Sequence, residues 1–270
     1  MFIKPRRGTI ARYTEPPDMS TGINSPSLSP PPLVREARSV FARSLALAAI
    51  SVPMLGVAIG TVPTLCGLAL FAGLLFAVER GLAAHHPHPR LGTANRITLV
   101  RAAITCLIAA RAIEPAPLDS PERWLLAAIA GTALMLDGAD GWAARRQGLT
   151  SAFGARFDME VDALAILVLA ITVLKAQAAP YWVLAIGGMR YLYLAAALAF
   201  PLLRRPLPPR RVADRRRKTI AVVQSVGLTI ALVPMTSASW AAVICATALG
   251  LLAYSFVADI VILLSTRPHR

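Results

Sequence analysis

The amino-acid sequence predicts an all-α fold, a polytopic helical bundle that crosses a membrane about eight times. Two features of the composition indicate this class: hydrophobic residues make up 56% of the 270 residues, and charged residues only 16%. Soluble chains usually carry about 25% charged residues. The third feature is the recurrence of continuous apolar runs long enough to cross roughly 30 Å of hydrocarbon. An outer-membrane barrel would need alternating apolar and polar residues, and these runs do not alternate.

The chain divides into three predicted segments. Residues 1–38 are polar and rich in proline and serine, so we expect a disordered cytoplasmic arm. Residues 39–82 form an amino-terminal transmembrane hairpin, and residues 91–265 form a core of six spans. The eight predicted spans cover residues 41–59, 62–80, 95–113, 124–143, 156–176, 181–203, 219–236 and 240–265.

The positive charge is distributed as membrane topology requires. The net charge is +14, but all the Lys and Arg residues except Arg190 are counted with the connections, which argues against a nucleic-acid partner. One alternating set of connections holds twenty-four of them, and the other holds only Arg111, Arg123 and Lys175. We therefore expect an integral protein of the bacterial cytoplasmic (inner) membrane, in contact with membrane lipid, with both termini facing the cytoplasm.

Four of the eight aspartates fall within one short window between apolar runs. The pattern is D-x-x-D-G-x-x-A-R, followed by eight residues and then G-x-x-x-D-x-x-x-D. Its fixed positions are Asp137, Asp140, Gly141, Ala144, Arg145, Gly154, Asp158 and Asp162. An ionised carboxylate at the centre of a membrane span costs about 2.5–3.5 kcal/mol, so four at ordered spacing indicate a functional site.

The spacing predicts how these aspartates meet. Asp137 and Asp140 share one helix face, Asp158 and Asp162 share a face of the next helix, and a short polar turn folds the two helices antiparallel. Four converging carboxylates supply the oxygen ligands that Mg²⁺ or Mn²⁺ prefers. Two such ions would suit an in-line phosphoryl displacement, and Arg145 supplies a fixed cation for phosphate. Gly141, Ala144 and Gly154 are small residues that permit close approach of a helix or a ligand.

This pattern resembles the signature of the CDP-alcohol phosphatidyltransferase family, integral membrane enzymes of phospholipid synthesis. The resemblance covers residues 91–265 and leaves the amino-terminal hairpin outside. Two further segments are similar to segments of the family. The first lacks a proline that is common there, and the second matches only in part. They are Asn95, Thr98 and Arg101 at the start of the first core span, and Lys218 with Gln224 at the start of the fifth.

The resemblance implies a role for each position. Asp137, Asp140 and Asp158 would bind metal, and Asp162 would be the general base that also touches the second ion. Gly141 and Ala144 would border the cytidine, beside Gly154, and Arg145 the diphosphate. A phosphatidyl group would pass from CDP-diacylglycerol to an alcohol acceptor, with release of CMP. Family members are often homodimers, so a homodimer is a further expectation.

The acceptor is predicted from the remaining cations. An arginine inside a span faces a cavity or a partner by default, which makes Arg190 a candidate for holding an anionic substrate group. Lys218 at a membrane edge and Arg156 are further candidates. These cations favour a phosphorylated polyol, glycerol 3-phosphate or an inositol phosphate, over serine or another alcohol. The alternative for Arg190 is an ion pair with one of the aspartates.

Other classes of protein explain the sequence less well. An ion-coupled membrane transporter would place charges at mid-membrane and show paired repeats, whereas these acids lie at helix ends and no repeat is visible. A phosphatase with a histidine nucleophile would need histidines within apolar segments. A scaffold with a decayed site would not need an intact pattern.

Overall fold

The computed structural model describes residues 32–54, 59–85, 91–147, 152–200, 203 and 211–265, although not every side chain within them. The described residues form α-helices and no strand, so the predicted all-α class is confirmed. A 3-10 turn, Tyr181–Val183, precedes the sixth helix. The helices are α1 Pro32–Met54, α2 Thr61–His85, α3 Thr93–Ile113, α4 Ser120–Gln147, α5 Ala152–Lys175, α6 Leu184–Ala199, α7 Arg211–Leu232 and α8 Ala238–Ser265.

Each helix overlaps one predicted span, but two begin earlier than the apolar residues alone suggest. Helix α1 begins at Pro32, inside the segment expected to be a disordered arm, because Val34 and Ala37 on its first turns are buried. Proline is favoured at the first helical position, where its missing N–H costs nothing. Helix α7 begins at Arg211, within the basic connection, and Ala213 in its first turn is buried. Residues 1–31 of the predicted arm lie outside the described residues.

Three stretches of the described chain are long and apolar enough to cross a membrane. The most apolar are α2 and α8, each with a mean hydropathy of 2.1. Helix α3, by contrast, carries the buried polar or charged side chains Asn95, Thr98, Arg101, Thr105 and Arg111. The three stretches are Thr61–Gly81, Tyr181–Ala199 and Ala238–Ser265.

Two apolar clusters hold the bundle together. The larger joins α4, α5, α7 and α8, where Val173, Leu228 and Cys245 are fully buried. The smaller joins α1, α2, α3 and α5. Helix α3 packs against α1, α2, α4 and α5 and is therefore the central element of this half of the bundle.

Helix α3 begins at Thr93, close to where α4 ends and α5 begins, and this end of the bundle is called the aspartate end. At the opposite end lie the three cations that the sequence places on the sparsely charged side. Arg111 donates to the Glu122 carboxylate at 3.0 Å, Arg123 donates to the Leu232 carbonyl at 3.1 Å, and Lys175 donates to the Arg111 carbonyl at 3.1 Å. Two of these contacts satisfy carbonyls in the last turns of α3 and α7, as cations at helix carboxyl ends commonly do. Arg123 and Lys175 therefore support helix carboxyl ends, whereas Arg111 forms an ion pair with Glu122.

Candidate metal and catalytic site

Three of the four aspartates meet between α3, α4 and α5. Asp137 lies on α4, and Asp158 and Asp162 lie one turn apart on α5, so both face the same side of that helix. One carboxylate oxygen from each of the three lies within 4.8 Å of the others. Each carboxylate is between a quarter and two fifths exposed, with side-chain exposures of 25%, 37% and 32% in chain order. The site is therefore partly open rather than sealed in the apolar core.

Arg101 on α3 contacts all three carboxylates. Its Nη1 is 2.6 Å from Asp137 Oδ1 and 2.7 Å from Asp158 Oδ1, and its Nη2 is hydrogen-bonded to Asp162. The Arg101 side chain is only 6% exposed, so it approaches the carboxylates from the protein interior. Arg101 belongs to a family-like segment of the sequence but is not among the residues that the sequence predicts for the site. Its depth in an apolar helix was the signal, since an intramembrane arginine faces a partner by default.

The neighbouring polar residues of α3 are satisfied locally. Asn95 Nδ2 donates to the Leu91 carbonyl at 2.6 Å, and Thr105 Oγ1 donates to the Arg101 carbonyl at 2.9 Å. Thr98 Oγ1 also donates to a carbonyl one turn earlier, that of Ala94. Such bonds allow buried polar side chains to remain on a helix that is otherwise apolar. These three side chains therefore bond to carbonyls one turn earlier, whereas the Arg101 guanidinium extends to carboxylates on α4 and α5.

The charge and the donor atoms of the cluster suit a divalent cation. Three carboxylates share one guanidinium, so negative charge exceeds positive charge among these four side chains. Carboxylate oxygens are hard ligands, the type that Mg²⁺ and Mn²⁺ select. The three oxygens also converge closely enough to share one ion. The residues present therefore fit a bound divalent metal.

The rest of the aspartate pattern is described only in part. The helix that carries Asp140, Gly141, Ala144 and Arg145 extends to Gln147, but their side chains lie outside the described residues. Gly154 lies in the first turns of α5, half-buried.

The predicted acceptor residues lie on α5, α6 and α7. Arg190 on α6 forms an ion pair of 2.6 Å with Glu160 on α5, rather than with an aspartate. Its Nε is buried and has no hydrogen-bond partner in the structure as described. Lys218 on α7 and Arg156 on α5 are exposed. Gln224 on α7 is buried, and its Nε2 likewise has no partner in the structure as described.

The fold and this cluster together define a class: a helical membrane protein with a carboxylate site built from three helices. The family model for CDP-alcohol phosphatidyltransferases matches residues 91–254, more than half of the chain. The chain therefore belongs to the CDP-alcohol phosphatidyltransferase family. No curated protein and no solved structure matches the chain.

Family membership and the helices agree on the general assignment. The family catalyses transfer from CDP-alcohols and belongs to phospholipid biosynthesis, so the chain is a transferase of this type. Its apolar helices and its membrane-enzyme family indicate an integral membrane protein. The amino-terminal helices α1 and α2 lie outside the matched region.

Proposed function

We propose that this protein transfers a phosphatidyl group from CDP-diacylglycerol to an alcohol acceptor and releases CMP, in a reaction that depends on a divalent metal. The observation that carries the proposal is the convergence of Asp137, Asp158 and Asp162, which come from both halves of the aspartate pattern. These three residues come from two separate helices, whereas surface acids that cluster by chance can be neighbours on a single helix. The family's chemistry agrees with this arrangement.

Asp137, Asp158 and Asp162 would hold the metal, together with Asp140, which lies one turn from Asp137 on α4. We propose two ions, Mg²⁺ or Mn²⁺, because four carboxylates exceed what one ion needs. Bound ions would supply neutralisation of the diphosphate and stabilisation of the leaving phosphate oxygens.

Asp162 is proposed as the general base. The acceptor hydroxyl would give its proton to the Asp162 carboxylate while its oxygen bonds to the lipid-side phosphorus, and the bond from that phosphorus to the CMP oxygen would break. A base must lie within hydrogen-bond reach of the proton it removes. The hydrogen bond from Arg101 to Asp162 supports this role, because it holds the carboxylate in a fixed orientation.

The nucleotide would lie against the amino-terminal half of the pattern. Gly141 and Ala144 would border the cytidine, with Gly154 across the turn, because small side chains leave space for a flat ligand. Arg145 would bind the diphosphate, since a planar guanidinium matches two phosphate oxygens at once. These four assignments rest on the family resemblance.

We propose a phosphorylated polyol as the acceptor, glycerol 3-phosphate or an inositol phosphate. Arg190 is the main support, because its side chain is partly exposed and its buried Nε–H has no partner in the structure as described. An unsatisfied buried donor costs about 1–3 kcal/mol, a cost that an anionic ligand could remove. The ion pair with Glu160 would then fix the guanidinium for the acceptor phosphate. Lys218 and Arg156 are proposed as additional contacts.

The proposed location is the bacterial inner membrane, with the aspartate end facing the cytoplasm, where CDP-linked substrates are available. The distribution of Lys and Arg supports this orientation. The three cations of the opposite end support it as well, since each binds groups of the protein itself. A homodimer remains a prediction of the family resemblance.

The test is identification of the lipid product. Purified protein is incubated with CDP-diacylglycerol and Mn²⁺ and with glycerol 3-phosphate, an inositol phosphate or serine in separate reactions, and the lipids are identified by mass spectrometry. We expect a phosphatidyl product with a phosphorylated polyol. A product with serine alone would reject the acceptor assignment and keep the transferase. An absence of product with every acceptor, although the protein is folded, would reject the proposed function.

A further inference from the structure

The amino-terminal hairpin, α1 and α2, packs directly behind the carboxylate site. Its Phe71 and Val78 belong to the same apolar cluster as Ala102, Phe157 and Val161. These last three residues directly follow Arg101, precede Asp158 and precede Asp162 in the chain. The buried faces of α3 and α5 therefore rest on the hairpin, while their polar faces form the site.

The hairpin forms hydrogen bonds with α3 and its flanking residues near both ends of that helix. At the aspartate end, Glu36 of α1 accepts hydrogen bonds from the Arg96 guanidinium and from the backbone N–H of Leu91, the latter at 3.2 Å. At the opposite end, the Gly60 backbone N–H donates to the Glu114 carboxylate at 2.5 Å. Contacts at both ends restrict sliding of the hairpin relative to α3.

The two hairpin helices are also joined to each other. Arg38 of α1 and Glu79 of α2 form a two-pronged ion pair with distances of 2.5 Å and 2.8 Å. The Phe41 and Phe71 rings stack with centroids 3.8 Å apart. The hairpin therefore acts as one body against α3.

Gly81 of α2 lies against Phe153 of α5. A Cβ placed on Gly81 would lie 2.4 Å from Cε2 of Phe153, so the Phe153 ring occupies the space that any other residue would need. The Phe153 ring stacks in turn against Phe157, with centroids 6.0 Å apart and planes 14° from parallel. Phe157 is buried and immediately precedes Asp158. A path of direct contacts thus runs from Gly81 through two aromatic rings to the helix turn that presents Asp158.

We propose that the amino-terminal hairpin is a positioning element of the site: through Gly81, Phe153 and Phe157 it sets the rotation of α5 that directs Asp158 and Asp162 toward Asp137. This inference rests on the proposed function for the meaning of that geometry. A side chain at Gly81 would press on Phe153. Because packed protein interiors are hardly compressible, α5 would have to shift, so a small residue is required at Gly81. Displacement of a ligand by about 1 Å costs on the order of 100-fold in rate.

A matched pair of substitutions on α2 separates positioning from general damage. A Cβ at Gly73 meets nothing within 4 Å in the described part of the structure, whereas one at Gly81 meets Phe153. Gly73→Val and Gly81→Val therefore change the same helix by the same side chain, and only the second pushes on α5. The double variant Gly81→Val with Phe153→Ala removes the ring that is pushed and tests the path itself.

Three quantities are measured. They are the binding of Mn²⁺ by the full chain, determined from the electron paramagnetic resonance signal of free Mn²⁺, the melting temperature in detergent, and kcat for CMP release. We expect Gly81→Val to weaken Mn²⁺ binding and lower kcat by about 10- to 100-fold, as changes behind metal ligands do. Gly73→Val stays within about twofold of wild type, and the double variant recovers most of the lost Mn²⁺ affinity. If Gly81→Val does not fold, Gly81→Ala replaces it with the same expected direction.

Equal Mn²⁺ affinity and equal kcat in the Gly73→Val and Gly81→Val proteins would overturn the proposal. So would a loss in Gly81→Val that Phe153→Ala does not relieve, because the effect would then not pass through the ring. The outcome is separable from the proposed function. If wild-type protein binds Mn²⁺ but releases no CMP, the transferase assignment fails, and the Mn²⁺ affinities of the variants still decide the role of the hairpin.

Discussion

Arg101 Nη1 lies 2.7 Å from Asp158 Oδ1, although 57 residues separate the two in the chain. The contact joins α3, which precedes the aspartate pattern, to α5, which completes it. The same guanidinium also binds Asp137 and Asp162. The site is therefore a three-helix structure in which one buried cation balances part of the charge of three acids.

Replacement of Arg101 by Gln should destabilise the protein when metal is removed. The three carboxylates would lose their shared guanidinium, and breaking a buried ion pair costs about 3–5 kcal/mol. The lower end of that range applies because the carboxylates are partly exposed, and a fall in Tm of about 5–10 °C is expected in EDTA. Added Mn²⁺ should recover part of the loss by supplying positive charge.

Arg101→Lys is the control, because it keeps the charge and loses the planar fork that binds two partners at once. We expect its Tm in EDTA to lie between those of wild type and Arg101→Gln. Identical melting curves for all three proteins in EDTA would show that Arg101 does not balance the aspartates.

Asp162→Asn should reduce CMP release by about 100- to 10,000-fold, the contribution that a general base usually makes. The substitution hardly alters side-chain volume, and the amide can still accept a hydrogen bond from Arg101. The Tm should therefore change little, which separates chemistry from folding. Activity within about tenfold of wild type would rule out Asp162 as the base.

Arg190→Ala should raise the acceptor KM by at least about tenfold while the KM for CDP-diacylglycerol changes little. Loss of one charge-assisted hydrogen bond costs about 1.5–3 kcal/mol, which sets that scale. Glu160→Gln is the matched variant, since it breaks the same ion pair and leaves the arginine in place. If both variants shift Tm alike and neither alters the acceptor KM, Arg190 serves only the pair with Glu160.

The sequence predicted the helices well because apolar runs and their flanking charges set where a span can lie. It missed the early starts of α1 and α7, since both begin with charged helical turns that a span prediction treats as connection. In α7 these turns are supported by an ion pair of 2.5 Å between Arg216 and Asp259 of α8. Such support depends on how α7 packs against α8 and leaves no local pattern.

The sequence was enough to predict that the aspartates form a site, but not that Arg101 contacts them. Aspartate spacing on α4 and α5 was enough to predict that Asp137, Asp158 and Asp162 converge, because helical periodicity fixes which side chains share a face. The Arg101 contact could not be derived, since it requires the rotation of α3 relative to α5. The same limit applies to the ion pair between Glu160 and Arg190, since it requires the packing of α5 against α6.

The proposed orientation of the bundle predicts a labelling pattern. Single cysteines at positions 119 and 210 are introduced after the three native cysteines have been replaced, and intact cells are treated with a membrane-impermeant thiol reagent. Position 119, exposed between α3 and α4, should react from outside, and position 210 should react only after permeabilisation. The reverse pattern would place the aspartate end outside the cytoplasm.

The most direct test of the central claim is the metal dependence of CMP release from CDP-diacylglycerol by purified wild-type protein and the Asp158→Ala variant. The account predicts that EDTA abolishes CMP release by the wild type and that Mn²⁺ or Mg²⁺ restores it. Asp158→Ala should need at least about tenfold more metal for half-maximal rate, or show no activity, because it lacks one of the converging oxygens. CMP release that persists in EDTA, or an unchanged metal requirement in Asp158→Ala, would contradict the assignment of these carboxylates as the metal site.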